Sequence, residues 1–274
     1  MTDAYAPWSP GMVEQGRLED VDMDRVPRHI GIIMDGNGRW ANAQNLPRIA
    51  GHARGEVALF DAIQGALDLG VEWLTVYAFS TENWSRDADE VSFLMHFNAD
   101  ILERRRDELH GQGVAIHFMG DMADPRIPQD LKDRIRISEE LTATNTTMHL
   151  VFAFNYGGRL EVSQAARQLA TRVQAGELSV SDIDEAAVAE AMYLPEMPDP
   201  ELIIRSSGEQ RTSNFLMWQA AYSEFVFTPV LWPDFDRYTL FDCVVEYQAR
   251  ERRLGGAQDA AVVREGSMAI DDQI

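Results

Sequence analysis

Two short stretches of this 274-residue chain concentrate groups that handle anions. In Asp35-Gly36-Asn37-Gly38-Arg39-Trp40 a carboxylate stands beside two glycines, which let backbone approach a ligand closely, and ahead of a helix whose first amides would face a phosphate. It is not a Walker loop, since no Gly-Lys-Ser/Thr follows, and read alone it is equally a glycine turn with a helix cap. Later, Arg205-Ser206-Ser207-Gly208-Glu209-Gln210-Arg211-Thr212-Ser213-Asn214 sets two arginines around a loop rich in hydroxyls. That composition suits bidentate capture of a diphosphate better than it suits a solvated charge run.

Other clusters point the same way with less force. Arg48 and His52, four apart and followed by Arg54, share one face if a helix has begun; they suit the same diphosphate or are plain surface cations. Ser80-Thr81-Glu82-Asn83-Trp84-Ser85-Arg86 combines hydroxyl, amide and guanidinium groups next to aromatics, as needed to hold an anionic head above an apolar body. The plain alternative makes Ser80 to Asn83 a helix cap and Trp84 core. Asn155-Tyr156-Gly157-Gly158-Arg159 reads as framework that fixes a turn. Glu224, next to Tyr222 and Phe225, needs a partner such as magnesium or arginine if buried, or a place at a helix end.

The elements that must position these groups follow from hydrophobic period. Short apolar runs at 29–34, 73–79, 114–119, 147–154 and 201–205 alternate with amphipathic stretches at 50–69, 90–110, 129–144, 158–175, 181–192 and 238–250. This βαβ rhythm predicts an α/β fold: a single domain with a central, mostly parallel sheet flanked by helices. Ligands then belong in the crevice at the carboxyl ends of the strands, which is where the clusters after Met34, Phe79, Phe154 and Ile204 fall. Residues 1–24 and 256–274 carry neither period and read as mobile tails around a domain spanning 25–255.

Composition narrows the function. With 24 basic against 45 acidic residues the formal charge is −21, which opposes binding that neutralises many nucleic-acid phosphates, so no nucleic-acid partner is expected. Lys132 is the one lysine, so the cations are almost all arginine, the side chain that grips phosphate oxygens in pairs. A single cysteine, Cys243, and no basic-then-apolar start or long apolar run lead to a cytoplasmic expectation.

Together the motifs resemble the cis-prenyltransferase family, the undecaprenyl and decaprenyl diphosphate synthases. The resemblance covers roughly 28–255 and is carried by the run His29 to Trp40, by Tyr77 to Trp84, and by Arg205 to Glu224. It implies condensation of isopentenyl diphosphate onto an allylic diphosphate of the farnesyl type, giving a polyprenyl diphosphate of about C50–C55 that serves as lipid-carrier precursor in cell-wall synthesis. It further implies an apolar product tunnel between sheet and helices. Val91, Leu94, Phe97, Ile101 and Leu102 near one helical face, with 57–69, are candidates for its wall or for ordinary core, and the small Ala78 favours a long product.

Carried over residue by residue, the resemblance makes Asp35 the essential carboxylate, with Gly36, Asn37, Gly38, Arg39, Trp40, Arg48 and His52 around the allylic diphosphate. Arg205, Arg211 and Ser213 would hold isopentenyl diphosphate, and Ser80, Thr81, Glu82, Asn83, Trp84 and Arg86 would close the reaction face, with Asn83 catalytic beside Asp35. Mg2+ would sit between the diphosphates, Asp35 and Glu224. Arg253-Leu254-Gly255 matches an Arg-x-Gly element that reaches into a partner subunit's site, implying a homodimer. Two departures stand out: Ser206-Ser207 where the family more often has Thr or Gly, and Gln210 where some members carry His. The proton acceptor stays open between a diphosphate oxygen and His52.

Other readings fit less well. Trans-prenyl synthases need Asp-Asp-x-x-Asp helices, and the adjacent aspartates here, Asp271-Asp272, lie in the tail. A haloacid-dehalogenase-type phosphatase needs a second aspartate where Asn37 stands. A short-chain farnesyl synthase and a noncatalytic subunit of a heteromeric prenyltransferase remain as alternatives within the resemblance. Product release would bring peripheral contact with the inner membrane face, though no amphipathic anchor is present.

Overall fold

The computed structural model describes residues 18–250, apart from the side chains at 96–100 and 102. Strands form where apolar runs have both faces covered: β1 (His29–Ile33) and β5 (Leu202–Arg205) are buried along their whole length, and β4 (Met148–Tyr156) almost so. With β2 (Trp73–Ser80), β3 (Val114–Met119) and β6 (Glu224–Phe227) they build one six-stranded sheet in the order β3-β4-β2-β1-β5-β6, with all adjacent pairs parallel. Continuous burial is what a parallel sheet sandwiched between helices requires.

The helices are α1 (Asn37–Ala43), α2 (Arg48–Asp68), α3 (Ala88–Gly111), α4 (Gln129–Thr142), α5 (Gly158–Gln174), α6 (Glu185–Glu190) and α7 (Arg237–Gln248). On one face Ile30, Ile32, Leu74, Val76, Leu150 and Phe152 pack against α2, α3 and α7 through Ala62, Ile63, Ile101, Leu240 and Val244. On the other, Ile33, Trp73, Val151 and Ile203 meet Met197, Phe215 and Leu216, while α5 and α6 share a small core with Trp218. None of the helices described is long and apolar enough to cross a membrane.

Three expectations are corrected. The helix read at 181–192 is a 3-10 turn at Val180–Asp182 followed by the short α6, because Asp184 caps the new helix through a 2.8 Å bond from the Ala187 amide. Residues 18–24, expected in a mobile tail, pack on α7: Val21 joins the core, and Asp22 exchanges two hydrogen bonds with the Gln248 side chain. The third is β6, which sequence period did not anticipate, and it relocates Glu224 from a helix end to the start of an edge strand.

Candidate active site

From β1 the chain turns to one side to reach β2, and from β5 to the other to reach β6, so the crevice at the carboxyl ends of β1 and β5 is the topological switch point of the sheet. Asp35 lies two residues beyond β1, and Arg205 ends β5, paired in register with Ile33. Arg205, 4% exposed, donates from Nη2 to Asp35 Oδ2 at 2.8 Å and from Nη1 to Ser213 Oγ at 2.7 Å and to the Arg211 carbonyl. The Ser206 hydroxyl accepts from the Asp35 amide at 2.8 Å and donates to the Asp35 carbonyl at 2.7 Å, which locks the turn. Arg39, one helical turn on, reaches Asp35 Oδ2 at 3.4 Å and donates to the Ser207 carbonyl and hydroxyl. Burial alone would raise the Asp35 carboxyl, but the hydrogen bond and charge of Arg205, helped by Ser207 and Arg39, hold it below the usual carboxylate range.

The Arg205 loop is pinned from the other side by Asn214. Its Oδ1 accepts from the Arg159 amide at 2.8 Å, and its Nδ2 donates to Glu82 at 2.9 Å. Ser207, Ser213, Asn214 and Leu216 all adopt positive φ, a concentration of backbone strain of the kind found at binding sites.

A second cluster faces the first across the cleft. Gly51 and Gly55 let α2 press onto α1, since a Cβ at Gly51 would stand 2.1 Å from the Asn37 carbonyl. This brings Asn37 Nδ2 to 3.5 Å from His52 Nδ1 and leaves Asn37 Oδ1 buried without a hydrogen-bond partner. Glu90 on α3, its side chain 14% exposed, gathers Arg86 at 2.8 Å, Arg48 at 3.7 Å and the His52 ring at 3.7 Å. Burial, and then the charge of Arg86, lower the His52 pKa, so the ring is neutral at pH 7. Ser80 and Asn83 form the cap that the plain reading foresaw, with the Ser80 amide donating to Asn83 Oδ1 at 3.0 Å, yet both side chains also line the cleft beside Asp35, Arg86, Arg205 and Ser213.

Below this polar mouth opens a largely apolar cavity of about 140 Å³. Asn37, His52, Asn83 and Arg86 ring its top; its walls come from Met34, Tyr77 and Ala78 of the sheet, Phe118, Phe152 and Phe154 farther across, Leu59 on α2, Leu94 and Ile101 on α3, and Trp232. Leu94, Ile101 and Ala78 thus stand where the tunnel was expected. Val91 instead faces an outer groove with Trp84, Met95 and Arg126. The side chains of Phe97 and Leu102 lie outside the described residues.

Several expected site residues are placed elsewhere. Glu224 opens β6 in register with Leu202, three positions before the Arg205 level and so about 10 Å along the strands from it, and it is paired with Arg250 at 3.0 Å. Within one chain it does not meet Asp35. The Arg211 guanidinium is 60% exposed and pairs with Glu209, so only the Arg211 carbonyl faces Arg205. The Trp40 indole ties α1 to Asp234 at 2.8 Å. Trp84 turns from the cleft to donate to Asn155 at 2.7 Å and to lie edge-on to Phe79 with Arg126 above it. Glu82, by contrast, stays at the cleft beside Asp35 and Arg205, where it accepts from the Thr81 hydroxyl and the Asn214 amide. Gly36, at φ 114°, and Gly38, packed under Arg48, shape the Asp35 turn. Arg253 and Gly255 lie outside the described residues.

Sequence reasoning passed over Glu90, Ser206 and Asn214. Glu90 sits four residues after Arg86, a helical spacing that signals a pair. The other two are ordinary loop residues by composition, and only the fold shows what they hold.

Residues 33–255 match the model of a prenyltransferase family, the undecaprenyl diphosphate synthases. The chain belongs to this family. It is 53% identical over 242 residues to the trans,polycis-polyprenyl diphosphate synthase ((2Z,6E)-farnesyl diphosphate specific) of Thermobifida fusca, covering 88% of this chain and 85% of the relative. It is 46% identical over 234 residues to the decaprenyl diphosphate synthase of Mycobacterium tuberculosis, covering 85% and 78%. The crystal structure of lavandulyl diphosphate synthase from Lavandula x intermedia in complex with dimethylallyl diphosphate superposes with a TM-score of 0.82 at 37% identity, covering 85% of this chain and all of that one. As a member of the undecaprenyl diphosphate synthase family, the chain is a prenyl-group transferase acting on isoprenoid diphosphates.

Proposed function

We propose that this family member extends a farnesyl-type allylic diphosphate with isopentenyl diphosphate, in cis, to a decaprenyl- or undecaprenyl-length product that serves as precursor of a cell-wall lipid carrier. The observation that carries the reading is the cavity: an anion-binding mouth opening directly onto a largely apolar cleft. Each buried methylene of a growing chain contributes about 0.8 kcal/mol there, so the longer chain is held while its diphosphate stays at the mouth. The relatives' decaprenyl and farnesyl-specific activities support the product class and the primer.

In this reading Arg39, Arg48 and Arg86, with the His52 ring, hold the allylic diphosphate, and the charge of the three guanidinium groups stabilises its departure as the allylic carbon becomes cation-like. Arg205 and Ser213 hold isopentenyl diphosphate, whose double bond attacks that carbon. Asn83 at the cleft orients the head groups, and Asp35, kept ionised by Arg205, faces both. The donor set fits Mg2+: both guanidinium contacts to Asp35 fall on Oδ2, and a magnesium ion characteristically takes one or two carboxylates and completes its shell from phosphate and water. When bound, such an ion supplies charge withdrawal from the leaving diphosphate. Because Glu224 starts β6 away from Asp35, a role for it at the same ion requires a second copy, which together with Arg253 and Gly255 supports the proposal of a homodimer.

The test is incubation of the purified protein with (2Z,6E)- or all-trans-farnesyl diphosphate, labelled isopentenyl diphosphate and magnesium, with and without chelator, followed by chromatography of the extracted lipid. A chelator-sensitive ladder ending at ten or eleven isoprene units is expected. A stop after one addition to a ten-carbon primer favours the short-chain alternative, and no incorporation by the pure homomer sinks the reading in favour of a noncatalytic subunit. In the same assay Asp35→Ala lowers turnover at least ~10³-fold, and parent-like activity in that variant removes the site assignment.

A further inference from the structure

One carboxylate lies in the wall of the apolar cavity. Glu56 follows His52 by four residues and precedes Leu59 by three, so all three lie on the stripe of α2 that faces the cavity, and Glu56 is 6% exposed. Its charge is met entirely from α3. Arg104 donates from Nη1 to Oε1 at 2.9 Å and from Nη2 to Oε2 at 3.0 Å, while Arg105 Nε lies 3.7 Å from Oε1 with its guanidinium over the Phe60 ring at 4.7 Å.

The position of this cluster along the two helices sets its consequence. At the mouth α3 is tied to α2 through Glu90 with Arg48 and His52, and farther down through Gln112 with Gln64 at 3.2 Å. Between Glu90 and Arg104 α3 advances fourteen residues, about 21 Å, whereas α2 advances eight from Arg48 to Glu56, about 12 Å. Between these two links α3 thus runs farther than α2, its Leu94 and Ile101 lining the cavity, and the Glu56 cluster joins the two helices again beside it. A hydrocarbon chain growing down the cavity meets at this seam a bidentate, hydrogen-bonded ion pair in place of side chains it could wedge apart. Burying the Glu56 carboxylate is costly even with the half-exposed Arg104 beside it, and hydrophobic residues of similar volume would pack the seam at least as stably. Stability alone does not explain its presence.

We propose that Glu56, with Arg104 and Arg105, is a specificity-determining element of the polyprenyl elongation proposed above, on which this inference rests: a polar side wall that seals the α2–α3 seam and confines the growing chain to the space ending at Ile101, Phe118 and Phe152. An apolar tail gains nothing by entering a seam whose lining groups already satisfy one another. With the wall made apolar, the seam accepts the tail, and elongation continues past its normal stop.

The experiment compares the product ladders of the parent, of Glu56→Leu with Arg104→Leu together, and of Glu56→Leu alone. Farnesyl diphosphate and labelled isopentenyl diphosphate are the substrates. The rate of the first condensation and the KM for both diphosphates are measured alongside, since neither depends on where the chain ends. The expected result is a main product longer by one or more isoprene units, with a broader distribution, and first-condensation kinetics within twofold of the parent. An unchanged or shortened ladder from either folded variant overturns the inference. A parent that fails to elongate overturns instead the functional reading beneath it.

Discussion

The two sides of the anion-binding mouth are built on different terms. Around Asp35 and Arg205 the groups fix one another: a guanidinium buried to 4% exposure holds a carboxylate, a hydroxyl and a carbonyl, and one serine both accepts from and donates to the turn it supports. Around Glu90 two guanidinium groups and the neutral His52 ring share a single carboxylate, Arg48 and His52 each at 3.7 Å, and Arg48 is 58% exposed. The first side is preorganised, so a ligand costs it little rearrangement. The second is a loose set of positive charges held by one internal anion, and an incoming diphosphate replaces that anion. One pocket can thus keep a fixed seat for the substrate used at every cycle and an adaptable one for a primer that lengthens with each addition.

The contrast breaks most visibly at Arg205. Lysine keeps the charge but cannot hold Asp35, Ser213 and the Arg211 carbonyl from one planar fork, so Arg205→Lys is expected to lower kcat/KM for isopentenyl diphosphate about 10²-fold. Steady-state kinetics at saturating primer measure this; a change under threefold would show that the seat is less preorganised than its bonds indicate. Glu90→Gln acts in the opposite sense. Removing the internal anion frees Arg48, His52 and Arg86, and the KM for the allylic primer is expected to fall about two- to fivefold, the scale of exposed ion pairs, with kcat unchanged. A rise in that KM would mean that Glu90 positions these cations and does not compete for them.

The smallest effect is in pH. His52 is neutral at pH 7 because burial and Arg86 lower its pKa; it takes up a proton only as pH falls below its ordinary value of 6.5, and the added charge then favours the diphosphate. Asp35 stays ionised through this range because its own pKa is lowered. Primer KM is therefore expected to drop about two- to threefold more between pH 7 and pH 5.5 in the parent than in His52→Gln, an amount typical of one partly exposed charge pair. Parallel profiles in the two proteins would exclude His52 from the diphosphate site.

Sequence period made most of the sheet legible because parallel strands covered on both faces are short continuous apolar runs, and β2, β3 and β4 are each followed by a helix long enough to show its stripe. β6 escaped for the opposite reason. It is a four-residue edge strand beginning with a glutamate, and although Phe225-Val226-Phe227 favours a strand, three residues are too few to show a period. The turn motifs located the mouth correctly but not the direction of each side chain. Trp84 and Trp40 stand within motifs that resemblance assigned to substrate, while their indoles bond to Asn155 and Asp234. Glu90 was hidden by its setting, since Asp87-Ala88-Asp89-Glu90 reads as acidic residues favoured at a helix start.

β1, the strand that carries Asp35, lies between β2, about 44 positions later in the chain, and β5, about 170 positions later. A ribosome adding roughly 5–20 residues per second makes the first neighbour within seconds but needs about 10–30 s to supply the second. Throughout that interval one edge of the most buried strand is unpaired, and Asp35 has no Arg205. Competence for catalysis therefore arrives late and all at once in biosynthesis. Until then the nascent chain offers a bare apolar strand edge of the kind that holdase chaperones shield, so the rate at which the stretch of message between β1 and β5 is translated governs how long this protein is exposed to misassembly.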